Sequence, residues 1–366
     1  MTTPNANLKS LHDAGQSIWI DNITRELLDD GTIARYIKEW SVTGLTSNPT
    51  IFEKAIASGA AYDEQVAELA RAGKSGEELF FELAQKDLGR AADLFRAVHD
   101  ASQGIDGWVS LEVSPVIVND TAKTIEAAKR LHAAAGKKNL YIKIPGTSAG
   151  VKAIEEVIFA GVPINVTLLF SREQYLAAAE AYLRGIERRI AAGLDPKIES
   201  VASLFISRWD AAVKDKAPAN LLNKLGIAIG KRTYKAYCDL LDSPRWKKLA
   251  AAGAHPQRLL WASTGTKDPA APDTLYVASL ASPNTVDTMP DKTMAAFADH
   301  GKVDGVLAKD GGDAEAVLAE FGKAGIDVDA LAAQLQKEAA DSFQKSWDSL
   351  LAGIKDKTAQ LSGAPR

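Results

Sequence analysis

One lysine, Lys143, lies inside a run of apolar and β-branched residues, Asn139-Leu-Tyr-Ile-Lys-Ile-Pro-Gly146. Such a run, ended by Pro-Gly, predicts a buried strand. Burying an ammonium ion is costly, so a lysine in this position tends to lose its proton. The neutral amine then attacks carbonyl carbons and forms a Schiff base. In the structural alternative, Lys143 lies at a strand end and reaches water or a carboxylate.

Other polar side chains recur at the ends of predicted strands. Each has an ordinary structural explanation by itself, since Asp21 can cap a helix and Asn48, before Pro49, can form a turn. Together with Lys143 they form a set of carboxylates, amides, hydroxyls and cations: Asp21, Asn48, Glu112, Asn165, Thr167, Ser203, Arg208, Ser263 and Lys267. The best structural alternative for the two buried charges is a Glu112–Lys143 ion pair.

These residues can meet only if the strands that carry them share one sheet. Predicted strands alternate with helices and cover residues 17–21, 42–48, 108–114, 139–145, 163–169, 201–207, 258–264 and 274–280. The alternation predicts an α/β fold, and eight parallel strands are the number that closes a (β/α)8 TIM barrel. The carboxyl ends of barrel strands form the active site. The alternative, an open doubly wound sheet, usually has a glycine-rich turn where this chain has Asp21-Asn-Ile-Thr24.

The rest of the chain predicts additional helices and a C-terminal helical extension. Residues 282–290 are expected to form a loop. The segment from about 327 to 361 has an approximate helical stripe of apolar residues. We predict a single domain over residues 1–366, with the barrel at about 15–300 and C-terminal helices at about 305–361 packed on it. A helix that binds a partner is the alternative for the last segment.

The composition excludes several classes of protein. A net charge of −4 gives no basic surface for nucleic acid, so an anionic ligand needs a local cluster of cations. The sequence shows neither a signal peptide nor a membrane span. One cysteine, Cys238, excludes an intramolecular disulfide framework, and the five histidines lack metal-ligand spacing. We therefore expect a cytoplasmic protein without a metal, a nucleic-acid partner or a membrane partner, as a monomer or a homodimer.

Seven segments, in order along the chain, resemble the transaldolase family, in particular its longer bacterial members. That family belongs to the class I Schiff-base aldolases. The segments are Ile20-Asp21, Gly44-Leu-Thr-Ser-Asn48-Pro-Thr-Ile-Phe52, Leu111-Glu112-Val-Ser-Pro115, Tyr141-Ile-Lys143-Ile-Pro145, Ile164-Asn165-Val-Thr167-Leu-Leu-Phe-Ser171, Ser203-Leu-Phe205-Ile-Ser-Arg208 and Trp261-Ala-Ser263-Thr-Gly-Thr-Lys267.

The resemblance implies a transferase on a (β/α)8 barrel that uses no cofactor and acts on small sugar phosphates. A dihydroxyacetone unit would move from sedoheptulose 7-phosphate to glyceraldehyde 3-phosphate in the non-oxidative pentose phosphate pathway. The products would be erythrose 4-phosphate and fructose 6-phosphate. The resemblance also implies that Lys143 forms the imine, that Asp21 takes the proton of the C4 hydroxyl, and that Glu112 and Thr167 hold a proton-shuttling water. The residues expected to bind or orient substrate are Asn48, Asn165, Ser203, Phe205, Arg208, Ser263 and Lys267.

One position departs from the shorter family members, which have an arginine soon after the Ala-Ser of the seventh strand. Here the chain reads Ser263-Thr-Gly-Thr-Lys267, and we expect Lys267 to supply that charge. A lysine is a point charge, so it fixes a phosphate with less defined geometry than an arginine fork. The alternative is that Lys267 is a solvated loop residue.

The sequence is also compatible with two other functions. A fructose 6-phosphate or deoxyribose phosphate aldolase uses the same barrel and a lysine imine, but related aldolases tend to lack a glutamate at the position of Glu112. A non-catalytic sugar-phosphate-binding barrel would be expected to lose Lys143, Asp21 or Glu112, and this sequence keeps all three.

Overall fold

The computed structural model describes residues 3–57 and 59–363 and contains a closed barrel of eight parallel strands. The strands pair in sequence order, and β8 returns to β1, so the sheet has no free edge. This confirms the predicted (β/α)8 barrel. The strands are β1 (Gln16–Ile20), β2 (Val42–Leu45), β3 (Trp108–Glu112), β4 (Leu140–Pro145), β5 (Ile164–Leu169), β6 (Ser200–Phe205), β7 (Gln257–Ala262) and β8 (Thr285–Met289).

Helices surround the barrel and cover its outer face. In the described residues they are α1 (Ala6–Asp13), α2 (Arg25–Asp29), α3 (Thr32–Glu39), α4 (Pro49–Ala57), α5 (Asp63–Arg71), α6 (Gly76–Ala101), α7 (Thr121–Ala135), α8 (Ser148–Phe159), α9 (Arg172–Ala191), α10 (Ser207–Val213), α11 (Leu225–Asp242), α12 (Pro244–Ala251), α13 (Leu275–Ser279), α14 (Asp291–His300), α15 (Ala314–Lys323) and α16 (Val328–Gly363). Helix α9 begins with a capping box formed by Ser171 and Gln174. None of the helices among these residues has the length and apolarity that crossing a membrane requires.

The prediction of the eighth strand was wrong. Residues 275–279 form the short helix α13, and the strand lies in the segment 285–289 that was expected to be a loop. The segment was misjudged because Thr285, Asp287 and Thr288 give it a polar sequence. Tertiary partners satisfy these side chains: Thr285 accepts a hydrogen bond from Gln16, and Asp287 accepts one from Thr264.

The barrel is closed at the amino ends of its strands. The carboxylate of Asp106 accepts a hydrogen bond of 2.8 Å from the indole of Trp19 and lies 3.7 Å from the guanidinium of Arg258. The rings of Trp108 and Tyr141 stack with their centroids 4.1 Å apart. This end is therefore filled by packed side chains, and the carboxyl ends of the strands are left to form a cavity.

The long C-terminal helix α16 packs on the barrel near those carboxyl ends. Its Trp347 is buried against Phe80 of α6, with ring centroids 5.0 Å apart. Its Ser346 accepts a hydrogen bond of 2.8 Å from Thr50, at the start of α4. The helix is thus held beside the β2–α4 connection, which carries Asn48.

Candidate active site

A cavity of about 340 Å³ opens at the carboxyl ends of the strands. Nine of the eleven residues proposed from the sequence line it, which brings together side chains from six strands or the loops that follow them. These are Asp21, Asn48, Lys143, Thr167, Ser203, Phe205, Arg208, Ser263 and Lys267. Glu112 and Asn165 are not part of the wall. Both are buried, and they contact the residues that line it.

Lys143 projects from the middle of β4, between Glu112 on β3 and Asn165 on β5. These three residues are register partners across the three neighbouring strands. Side chains that share a register level in a parallel sheet lie side by side. The strand order of the barrel therefore places a carboxyl group and an amide on either side of the lysine.

The Nζ atom of Lys143 lies 3.1 Å from Oε2 of Glu112, and both side chains are 6 % exposed. Nζ donates its hydrogen bond of 2.9 Å to the carbonyl oxygen of Ser47, while Oε2 of Glu112 has no aligned hydrogen-bond partner among the described residues. Burial raises the pKa of Glu112, and the nearby charge of Lys143 offsets part of the rise. A carboxyl group in this state can exchange a proton with the lysine or with a ligand beside it.

Asp21 follows β1 and faces the cavity from its other side. Its carboxylate accepts a hydrogen bond of 2.7 Å from Thr46, whose hydroxyl also lies 2.6 Å from that of Thr288. Burial raises the pKa of Asp21, while Lys143 and the hydrogen bond from Thr46 act in the opposite direction. A raised pKa brings a carboxyl group closer to the range in which it can act as a general base and then as an acid.

The amide of Asn165 is fixed from both sides. Its oxygen accepts a hydrogen bond of 2.7 Å from Ser203, and its nitrogen donates one of 3.2 Å to Ser110. Both amide ends are thus engaged, which fixes the orientation of the side chain. Thr167, two residues farther along β5, lines the cavity, and its buried hydroxyl has no partner among the described residues. This hydroxyl is free to bind a water molecule or a substrate.

Three cationic side chains besides Lys143 line the cavity: Lys54, Arg208 and Lys267. No carboxylate oxygen of the described residues lies within 4.0 Å of their nitrogen atoms. The guanidinium of Arg208 lies over the ring of Phe205, 5.5 Å from its centroid. Burial lowers the pKa of Arg208, although an arginine remains charged. The backbone of Ser263 has a φ of 57°. Its hydroxyl lies 2.9 Å from that of Ser207 at the start of α10.

Sequence reasoning missed several residues of the cavity wall. They are Thr46, Thr50, Ile51, Lys54, Thr288, Pro290 and Phe343. Thr46 lies inside the Thr-Ser-Asn-Pro motif and could have been inferred from its neighbours. Thr288 was missed with the strand that carries it. Phe343 had no local signal, because only the packing of α16 brings it to the cavity.

Comparison with known proteins agrees with this geometry. The family described as "Transaldolase/Fructose-6-phosphate aldolase" matches residues 18–354. This chain belongs to the transaldolase/fructose-6-phosphate aldolase family. The match includes the barrel except the first two residues of β1, all the residues of the cavity wall and most of α16.

Relatives named transaldolase match almost the whole chain. One from Renibacterium salmoninarum is 45% identical and covers 97% of this chain and 97% of its own. One from Saccharopolyspora erythraea is 44% identical and covers 98% of this chain and 99% of its own. One from Neisseria gonorrhoeae is 44% identical and covers 95% of this chain and 99% of its own. A solved structure of a putative fructose-1,6-biphosphate aldolase from Coccidioides immitis covers 98% of this chain and 97% of its own at 11% identity. Its TM-score of 0.29 is too low to inform the fold.

Proposed function

We propose that this protein is a transaldolase, a transferase that moves a dihydroxyacetone unit from sedoheptulose 7-phosphate to glyceraldehyde 3-phosphate. The products are erythrose 4-phosphate and fructose 6-phosphate, as in the non-oxidative pentose phosphate pathway. The observation that carries the proposal is the buried pair of Lys143 and Glu112 beneath a cavity whose wall contains Asp21 and three unpaired cations.

In the first step, the amine of Lys143 attacks the C2 carbonyl of the donor ketose. Loss of water from the resulting carbinolamine forms the imine, and this requires a proton to reach the departing hydroxyl. Glu112, 3.1 Å from Nζ, and the free hydroxyl of Thr167 are the groups that support this transfer, with a water molecule held between them. The same groups run the reverse reaction when the product is released.

In the second step, Asp21 accepts the proton of the C4 hydroxyl while the C3–C4 bond breaks. The electron pair of that bond moves into the protonated imine, whose cationic nitrogen becomes neutral, and this leaves a neutral enamine on Lys143. The aldehyde fragment departs as erythrose 4-phosphate. Glyceraldehyde 3-phosphate then enters, the enamine carbon attacks its carbonyl, and Asp21 returns the proton to the new hydroxyl group. Its raised pKa suits this exchange of one proton in both directions.

The dihydroxyacetone unit is bound by amide and hydroxyl groups at the floor of the cavity. Asn48 uses its side-chain oxygen to cap α4, by accepting a hydrogen bond of 3.0 Å from the backbone of Ile51. Its amide nitrogen therefore remains available for a substrate hydroxyl. Ser203 provides a second contact to a substrate hydroxyl. Asn165 orients the intermediate, and Phe205 forms the apolar part of the wall.

The phosphate group of the donor or the acceptor is bound by Arg208 and Lys267, with Ser263 beside them. All three line one cavity, and neither cation is neutralised by a carboxylate in the described residues. Such a local cluster is what a chain of net charge −4 needs in order to hold an anion. Lys54 supports the same assignment, because it adds a third unpaired cation to the wall.

We also infer a cytoplasmic enzyme that works as one domain over residues 1–366, as a monomer or a homodimer. The single cysteine supports a reducing compartment, and the packing of α16 on the barrel supports the single domain. Size-exclusion chromatography with light scattering distinguishes the two oligomeric states, and limited proteolysis tests whether the chain behaves as one unit.

The test of the proposed activity is a coupled assay for the aldehyde that the donor releases. That aldehyde is erythrose 4-phosphate when sedoheptulose 7-phosphate is the donor, and glyceraldehyde 3-phosphate when fructose 6-phosphate is the donor and erythrose 4-phosphate the acceptor. Sedoheptulose 7-phosphate with glyceraldehyde 3-phosphate should give rapid release of erythrose 4-phosphate, and omission of the acceptor should nearly abolish turnover. Borohydride should trap a dihydroxyacetone adduct on the peptide that contains Lys143.

The same assay distinguishes the two activities that the family description names. A fructose 6-phosphate aldolase would release free dihydroxyacetone from fructose 6-phosphate without an acceptor, as measured with a coupled reductase. Release at the rate of transfer would contradict the proposed transferase. A non-catalytic barrel would give neither product and no trapped adduct.

A further inference from the structure

One side chain of helix α16, Gln336, contacts the backbone at the carboxyl ends of β4 and β5. Its amide nitrogen donates hydrogen bonds to two backbone carbonyls, 3.0 Å to Gly146 and 2.9 Å to Leu168. Gly146 directly follows β4, which carries Lys143, and Leu168 lies in β5, which carries Thr167. One primary amide has two protons, so a single side chain can bridge both strands.

The segment of β5 that Gln336 holds has an irregular backbone. The pairing of β5 with β6 shifts register between Val166 and Leu169. Within this interval Leu168 has a φ of 58°, a left-handed conformation that is unfavourable for a leucine. An irregular conformation of this kind persists only where surrounding contacts maintain it. Gln336 supplies such a contact at the carbonyl oxygen of Leu168 itself.

Thr167 is next to both residues that Gln336 contacts, because it precedes Leu168 in β5 and is hydrogen-bonded to Gly146. Its own carbonyl oxygen accepts a hydrogen bond of 2.7 Å from the backbone nitrogen of Gly146. Its side chain is 1% exposed, lines the cavity and has no hydrogen-bond partner among the described residues. The direction of the hydroxyl is therefore set by the backbone of residues 166–169, and not by a side-chain partner of its own.

We propose that Gln336 is a positioning residue, which keeps the Thr167 hydroxyl directed at the space beside Lys143. The C-terminal helix is then a part of the catalytic apparatus and not only a cover on the barrel. The inference rests on the proposed function, because it assumes that Thr167 takes part in forming and releasing the imine. It predicts that loss of the Gln336 amide slows those steps and has little effect on the binding of phosphate by Arg208 and Lys267.

The test uses Gln336→Met, which has a similar length and shape but no donor, and Gln336→Glu, which has the same shape and presents oxygen atoms to the two carbonyls. We expect kcat and the rate of borohydride-trapped imine formation to fall by ~10–10²-fold in both, since small misplacements of catalytic groups have effects of that size. The KM for fructose 6-phosphate should change less than kcat. Gln344→Met is the matched control, because its amide lies on the same helix and donates only to Asp348 on the next turn.

A double-mutant cycle with Thr167→Val separates positioning from a general structural effect. If Gln336 acts through the hydroxyl of Thr167, Gln336→Met should lower kcat by less than about twofold when that hydroxyl is absent, because coupled residues are not additive. Equal losses in the two backgrounds would overturn the proposal. So would unchanged imine formation in both Gln336 variants. Circular dichroism and the thermal midpoint establish that each variant is folded, and if one of the two fails to fold the other carries the cycle.

These experiments distinguish a failure of the proposed function from a failure of the proposed role of Gln336. If the unmodified enzyme shows no transaldolase activity and no trapped imine, the proposed function fails. If the unmodified enzyme is active and the two losses in the cycle add, only the role of Gln336 fails.

Discussion

A buried carboxyl group outside the cavity, Asp287 of β8, should make the stability of this protein depend on pH. The side chain is 0% exposed, and one oxygen accepts a hydrogen bond of 2.8 Å from Thr264. The other oxygen has no partner in the described residues. Burial raises the pKa of Asp287 from 3.8 to about 7, and the hydrogen bond from Thr264 offsets part of that rise.

The sign of the effect follows from the protons bound in each state. Between pH 3.8 and about 7 the folded protein keeps this proton while the unfolded chain has lost it. Stability therefore falls as the pH rises, by about 1.4 kcal/mol per unit, and levels off above the folded pKa. The whole contribution, over roughly three units, is about 4 kcal/mol, and about 3 kcal/mol of it falls between pH 5 and pH 8.

Asp287→Asn removes this titration while keeping the shape of the side chain. Any cost of the amide in the buried site is the same at each pH, so it cancels when two pH values are compared. Relative to the unmodified protein, the variant should gain about 3 kcal/mol in its free energy of unfolding between pH 5 and pH 8.

Urea titrations at pH 5, 6, 7 and 8 measure this difference in the free energy of unfolding. Asp239→Asn, on the exposed face of α11, makes the same chemical change at a solvated position and serves as the control. A difference between Asp287→Asn and the unmodified protein that stays constant with pH would refute the reasoning. A difference that moves the other way would mean that Asp287 is charged in the fold and stabilised by a partner.

The remaining predictions concern the cavity. Lys143→Met should abolish turnover and the borohydride-trapped adduct, since it removes the amine; a residual adduct on the same peptide would contradict the assignment. Glu112→Gln should lower kcat by ~10²–10⁴-fold, the usual contribution of a positioned acid or base, and an unchanged pH–rate profile would exclude a role in proton transfer. Lys267→Ala should raise KM by ~10–10²-fold for phosphorylated donors and leave unphosphorylated fructose almost unaffected, because a charged hydrogen bond to phosphate is worth roughly 1.5–3 kcal/mol. Lys152→Ala, on the exposed face of α8, is its control, and equal losses on both sugars would place Lys267 outside the phosphate site.

Most of the barrel could be predicted because the residues within each strand and at its ends are enough to indicate a strand. Seven of the eight predicted strands overlap the strands of the structure, since each is a short apolar run ended by polar residues, proline or glycine. The eighth failed because periodicity and composition are local signals. They assigned the apolar segment at 275–279 to a strand and the polar segment at 285–289 to a loop. The reverse assignment depends on partners such as Gln16 and Thr264, which are distant in sequence.

The sequence by itself determined which residue types were available for chemistry. A lysine and a glutamate within apolar strands can be inferred from neighbouring residues alone, because burying a charge is costly and such positions require an explanation. Their distance could not be inferred. Adjacent strands in register bring Nζ of Lys143 to 3.1 Å from Glu112, and register is a property of the closed sheet.

Only the tertiary structure decided how the last helix takes part. Gln336 and Phe343 have no local signal, because a glutamine and a phenylalanine on an amphipathic helix are ordinary residues. Phe343 lines the cavity, and the hydrogen bonds of Gln336 to the backbone beside it span 168 and 190 residues of sequence. Residue type and local pattern can be read from neighbouring residues in the sequence. The packing of α16 instead depends on the shape of a surface that exists only once the barrel has closed.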